Sequence, residues 1–158
     1  MEYEVINTDN INEARKLIDK ANKENKNIII IAKDDSFNRK IFENKKVDVI
    51  FGLELERKDK LKQRDSGLNQ VLCKLAKQND ISIGINFPSI QKLSDFHLSK
   101  YLGRLSQNIM LCKKYKVSMV LVNTKENKQD LSALLLSLGM STNMAKYTVE
   151  NTITFNNK

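Results

Sequence analysis

The hydrophobic positions of this chain follow two rhythms. Nearly continuous apolar runs at Tyr3–Ile6, Ile28–Ala32, Val47–Phe51, Ile81–Phe87 and Val117–Val122 are separated by stretches in which apolar residues recur every three or four positions. A continuous β-prone run is the pattern of a strand buried on both faces. The longer spacing is that of a helix with one face in a core. Ile11, Ala14, Leu17, Ile18 and Ala21 predict a first helix, with Asn10 and Glu13 at capping-box spacing and Asn27 at its end. Phe37, Ile41 and Phe42 predict a short second helix capped by Asp35 or Ser36. Asp65-Ser66-Gly67 is expected to open a third, carrying Leu68, Val71, Leu72, Leu75 and Ala76 on one face. Leu98, Leu102, Leu105, Ile109 and Cys112 stripe a long helix from about Ser94 to Tyr115. Asp130 heads a helix through Leu138 that Gly139 is placed to terminate. Pro88 is expected to stop the fourth strand, Asn143–Glu150 to form one more short helix, and Thr152–Phe155 to be extended.

Strand and helix in alternation, with apolar strands, mean a parallel sheet flanked by helices. An open doubly wound sheet and a barrel both use that order. A complete eight-unit barrel takes about 200 residues or more. The 158 residues hold five or six units, so any barrel would be incomplete. One Pro, five Gly and no Ser/Gly-rich linker point to one domain over residues 1–158.

Composition narrows the chemistry. Hydrophobic content of 41% and charged content of 29% are those of a soluble globular chain. No apolar run approaches a membrane span and the first ten residues are polar and acidic, so the cytoplasm is expected and a membrane is not. Cys73 and Cys112 lie in apolar helical patterns and read as buried free thiols. The one histidine, His97, lies in a helix, which argues against a His-rich metal hydrolase or a Ser-His-Asp arrangement. No glycine-rich phosphate loop follows any strand. Asp34, Asp35, Glu54 and Asp65 are the only candidates for a degenerate metal-dependent phosphoesterase.

The net charge of +8 suits a polyanionic partner, and equally a chain rich in Lys and Asn throughout. The densest basic feature is Arg57-Lys58-Asp59-Lys60-Leu61-Lys62-Gln63-Arg64, with five positive charges and one negative. It follows the third strand, on the rim where α/β folds carry function. It feeds into Asp65, Ser66 and Gly67, where a helix amino terminus would offer N–H groups to a phosphate. Arg64 adds a fork suited to bidentate phosphate contact. Arg39, Lys40, Lys45 and Lys46 form a second group that extends the same surface, whereas Lys113, Lys114 and Lys116 suit the dipole at a helix end. No ordered row of exposed aromatics supports a base-stacking platform. A basic protein-interaction domain remains the alternative without RNA.

The stretch Val47–Phe87 resembles protein component 3 of archaeal ribonuclease P, related to the 30-kilodalton subunit of the nuclear enzyme. Val47-Asp48-Val49-Ile50, Glu54-Leu55, Arg57-Lys58, Asp65-Ser66-Gly67-Leu68-Asn69, Val71–Ala76 and Ile81–Phe87 carry the resemblance. A short basic insertion splits the middle motif, so Arg57-Lys58 and Gln63-Arg64 compete for one place. Weaker similarity at Asn38-Arg39, Leu111–Val122 and Asp130–Ala145 extends it. The resemblance implies a parallel β/α barrel-like fold of the polymerase-and-histidinol-phosphatase (TIM) type, here with five to six strands and without metal ligands. It implies a noncatalytic, RNA-binding subunit that contacts ribonuclease P RNA and precursor tRNA and pairs with a second small protein subunit. The RNA and its magnesium would remove the 5′ leader, and the protein itself would carry no cofactor. Its RNA-binding residues would be Arg39, Arg57, Lys58, Lys60, Lys62, Arg64, Asp65, Ser66 and Gly67. Relatives begin with about two more strand–helix units, so the barrel is expected to be open. The carboxy-terminal segment or a partner chain is then expected to cover the exposed edge.

Overall fold

The computed structural model describes residues 1–155. The last three residues of the expected domain lie outside the described residues. Five strands form one parallel sheet: β1 (Tyr3–Ile6), β2 (Asn27–Ile31), β3 (Val49–Phe51), β4 (Ser82–Asn86) and β5 (Met119–Val122). Their spatial order is the order of the chain, with no reversal. That order decides between the two architectures left open by the sequence. A doubly wound sheet reverses its strand order at a switch point, whereas a barrel adds each strand beside the last.

The connecting helices are α1 (Ile11–Lys23), α2 (Asp35–Phe42), α3 (Gln70–Asn79), α4 (Phe87–Gln91), α5 (Asp95–Tyr115), α6 (Lys128–Ser137) and α7 (Thr142–Glu150). All pack on one face of the sheet. The period of two explains why. Ile28 and Ile30, Ile50, Ile83 and Ile85, and Met119 and Leu121 face the helices in the larger core. The intervening Ile29, Val49, Phe51, Val120 and Val122 face the other way into a smaller concave cluster. Strands β2 to β5 are thus buried on both faces, as their nearly continuous apolar runs require, whereas β1 at the edge is mostly half-buried.

Local chemistry fixes the boundaries. Asn10 Oδ1 accepts from the Asn12 and Glu13 amides, but Glu13 does not complete the capping box, because its carboxylate takes the Thr8 hydroxyl at 2.6 Å. The first helix ends at Lys23 rather than at Asn27, which already belongs to β2. Asp34, not Asp35 or Ser36, caps α2 through the Phe37 amide. Asn127, not Asp130, caps α6. Gly139 terminates that helix at φ +113°, with its amide on Leu136 O and that of Met140 on Leu135 O. Pro88 does not merely stop a strand. It lies in the first turn of α4, where its missing N–H is harmless.

The concave face is closed from two directions. Gly84 of β4 faces it, and a Cβ there would lie 2.7 Å from Phe51 Cβ and 3.1 Å from Val122 Cγ2. The carboxy-terminal segment covers the outer edge of β5. Ile153 donates its amide to Leu121 O and accepts from the Asn123 amide, both at 2.8 Å. Phe155 then sets its ring 6.3 Å from that of Phe51. Nothing among the described residues pairs with the outer edge of β1. Gly84→Val is expected to lower unfolding stability by about 2 kcal/mol through overpacking. Urea denaturation measures it, and an unchanged midpoint would mean that the concave face is loosely filled.

Candidate nucleic-acid interface

The segment between β3 and α3 lies on the rim at the carboxyl ends of the strands and carries most of the expected site. It leaves β3 through Gly52 at φ +85° and buries Leu53 and Glu54. Two side chains of α5 then fasten it. Arg104 donates from Nε to Asp59 Oδ1 at 3.1 Å, from Nη2 to Arg57 O at 2.9 Å, and from Nη1 to Glu54 O at 3.4 Å. Asn108 donates Nδ2 to Glu54 Oε1 and to Ser66 O, each at 3.1 Å, thereby tying the start of the segment to its end. Asp59 Oδ1 also accepts the Asp65 amide at 2.9 Å. Paired backbone bonds between Lys60 and Gln63 make a tight hairpin with Leu61 and Lys62 at its tip. The basic run is therefore a folded projection.

Its charges divide into two sets. Arg57 is turned inward, with Nη2 on both oxygens of Asp65 at 2.8 and 3.0 Å and Nη1 on Asp35 at 2.8 Å. Burial works against the Arg57 guanidinium, yet hydrogen bonds and charge from Asp65 and Asp35 outweigh it and hold its pKa above the ordinary value. Burial alone would raise the Asp65 carboxyl, but Arg57 and the Gly67 amide hold it below the usual range. Ser66 and Gly67 are buried, and Gly67, at φ +78°, has no room for a Cβ, which would meet Leu53 O. These four residues build the rim. Lys58, Lys60, Lys62 and Arg64 face solvent, and none has a carboxylate at ion-pair distance among the described residues. Arg39 is also exposed and pairs with Glu43 one helical turn away.

The expected helix opening at Asp65-Ser66-Gly67 is corrected. Helix α3 begins at Gln70, and Asn69 Oδ1 accepts the Val71 and Leu72 amides at 2.9 and 3.0 Å. At the turn itself the Asp65 and Gly67 amides are satisfied by Asp59 and Asp65, so the expected free helix terminus does not form there. The residue at the turn mimics a cap, since Asp65 Oδ1 accepts the Gly67 amide at 3.0 Å.

A cleft of about 690 Å³ runs between the hairpin and α3, lined by Arg39, Lys60, Lys62, Arg64, Asn69 and Gln107. A second of about 630 Å³ opens over Ala32 and Gly52 at the strand ends. Arg57, Asp35 and Asp65 form the wall between them. Of the four candidate metal-binding acids, Asp34 caps a helix, Asp35 and Asp65 share Arg57, and Glu54 is enclosed. Among the described residues no three His, Cys, Asp or Glu side chains group as a metal site. Cys73 and Cys112 are free and buried. His97 is exposed on α5, and no helix among the described residues is long and apolar enough to cross a membrane.

Sequence reasoning missed Arg104 and Asn108 and read Glu54 as a possible metal ligand and as part of the family motif, not as a buried anchor. The signal was polar residues at helical spacing inside an apolar stripe. The buried face of α5 runs through Tyr101, Arg104, Leu105, Asn108, Ile109 and Cys112, while the expected Leu98 and Leu102 are only half-buried. Burial raises the Glu54 carboxyl above its usual 4.5, against the Asn108 hydrogen bond, and Glu54 Oε2 has no partner. The sign for stability follows. Below the unfolded-state pKa the group is protonated in both states; as pH rises, only the unfolded chain ionises and stability falls until the folded pKa is reached. Glu54→Gln is expected to raise Tm at about pH 8 and to match wild type at about pH 4. A lower Tm at both would contradict a raised pKa at Glu54.

No protein-family model matches the chain. It is similar to ribonuclease P protein component 3 of Methanococcus vannielii, 33% identical over 116 residues, which are 73% of this chain and 48% of that protein. It is similar to the component 3 of Methanosarcina acetivorans, 30% identical over 114 residues, 72% of this chain and 45% of that one. The chain thus spans about half the length of the curated relatives it matches. A chain in a cryo-EM structure of archaeal ribonuclease P with mature tRNA superposes at a TM-score of 0.81 with 26% identity, over 94% of this chain and 64% of that one. A crystal structure of an uncharacterized protein superposes at 0.55 with 10% identity and shares the fold alone. Sequence similarity and superposition converge on one family, and the chain is a relative of archaeal ribonuclease P protein component 3.

Proposed function

We propose that the chain is a noncatalytic, RNA-binding subunit of ribonuclease P that assists the catalytic RNA in removing the 5′ leader from precursor tRNA. The observation that carries this reading is the set of exposed cations Lys58, Lys60, Lys62 and Arg64, unpaired among the described residues, on a hairpin held to the barrel rim. Cations spaced along a fixed projection neutralise successive phosphates and release their counterions, which supports binding without base readout. The catalytic RNA, with its own magnesium, performs the hydrolysis. The protein holds no cofactor, works in the cytoplasm, and stabilises the active RNA shape together with precursor tRNA and a second small protein subunit.

The test is reconstitution with archaeal ribonuclease P RNA and partner subunits, following precursor-tRNA cleavage at limiting magnesium. The wild-type chain is expected to raise the rate. The Lys58→Ala, Lys60→Ala, Lys62→Ala variant is expected to need more magnesium and to lower the salt slope of RNA binding by about 2 to 3. Absence of stimulation by the wild-type chain would contradict the reading.

A further inference from the structure

Arg64 is held by a feature that RNA binding in general does not require. Its guanidinium lies flat against α5 at Gly103, where a Cβ would come within 2.7 Å of Arg64 Cζ, 2.9 Å of Nη1 and 3.0 Å of Nε. Gly103 sits inside a 21-residue helix. Its φ is not positive and its absent side chain would touch nothing else as closely, so neither a turn nor a backbone contact accounts for it. Glycine within a helix weakens that helix. The three atoms nearest the position of its missing Cβ all belong to Arg64.

The three arginines at the rim are used differently. Arg57 is consumed by Asp35 and Asp65, and Arg104 by Asp59 and two carbonyls. Arg64 has no carboxylate within ion-pair distance among the described residues, although Asp59 lies near enough to feel its charge. One face of its guanidinium lies against α5, and Arg64 lines the cleft together with Lys60, Lys62, Asn69 and Gln107. A guanidinium fixed in plane presents paired N–H donors that match two phosphate oxygens, which a flexible ammonium does not.

We propose that Gly103 is a positioning residue that seats Arg64 on α5 as a fixed fork for one phosphodiester group of a bound RNA. The inference rests on the RNA-binding reading above and names the contact within it. The full chain is titrated with transcribed archaeal ribonuclease P RNA at several salt concentrations. Arg64→Ala is expected to weaken binding about tenfold, and Arg64→Lys, which keeps the charge, to recover only part of that loss. Gly103→Ala is expected to unfold at the same or a higher temperature, yet to weaken binding, and Gly103→Met to approach the Arg64→Ala level. In the Arg64→Ala background either Gly103 change is expected to add nothing.

Wild-type affinity in both Gly103 variants would overturn the positioning role. An Arg64→Ala variant that binds like wild type, while the triple lysine variant is weakened, would overturn the fork and leave the RNA reading standing. A wild-type chain that binds no RNA would overturn both.

Discussion

The clamp from α5 onto the basic hairpin is the interaction on which the rest of the site depends. A segment with five like charges in eight residues repels itself and, left alone, stays extended and mobile. Arg104 opposes this with donors to Glu54, Arg57 and Asp59, and Asn108 joins Glu54 to Ser66 across the base of the same segment. Hydrogen bonds to charged groups contribute about 1.5–3 kcal/mol each. The clamp therefore holds the hairpin folded before any partner arrives, and the ordering cost of binding falls accordingly.

The barrel supplies the geometry. Strands added in chain order place every helix on one face, so α3 and α5 lie side by side beneath the β3–α3 segment. The concave face is sealed by small residues and tail residues, with Gly84 admitting Phe51 and Val122 and Ile153 pairing with β5. The rim above it separates into an inner acid–arginine wall and an outer row of free cations. Rigidity comes from the first and affinity for a polyanion from the second. The enclosed Glu54 belongs to the inner set. Burial raises its pKa, and an ion there would lack a partner for its second oxygen.

Much of this was legible in the sequence. Continuous isoleucine and valine runs are unambiguous when a strand is buried on both faces, and all five strands lie where those runs stand. The Gly139 stop and the Asn10 cap were legible because each has one local cause. Sheet order was not, since the same alternation serves two architectures and only tertiary pairing separates them. The start of α3 was misread because Asp65 makes a cap-like bond to Gly67 four residues before Asn69 makes the true one. Arg57 looked like one more exposed cation, although its partners Asp35 and Asp65 stand 22 and 8 residues away and meet it only through the fold. Arg104 and Asn108 were hidden for the same reason, because a polar residue in an apolar stripe announces burial without naming its partner.

Amide hydrogen exchange in the free protein addresses the central claim most directly, comparing wild type with Arg104→Met. The amides of Lys60, Gln63, Asp65 and Gly67, which are bonded within the hairpin and its base, are expected to be protected in wild type. In the variant they are expected to exchange faster, while those of Ile29 and Ile50 in the sheet stay unchanged. Unprotected amides throughout the hairpin of the wild-type protein, or protection that survives the loss of Arg104, would contradict a surface preformed by α5.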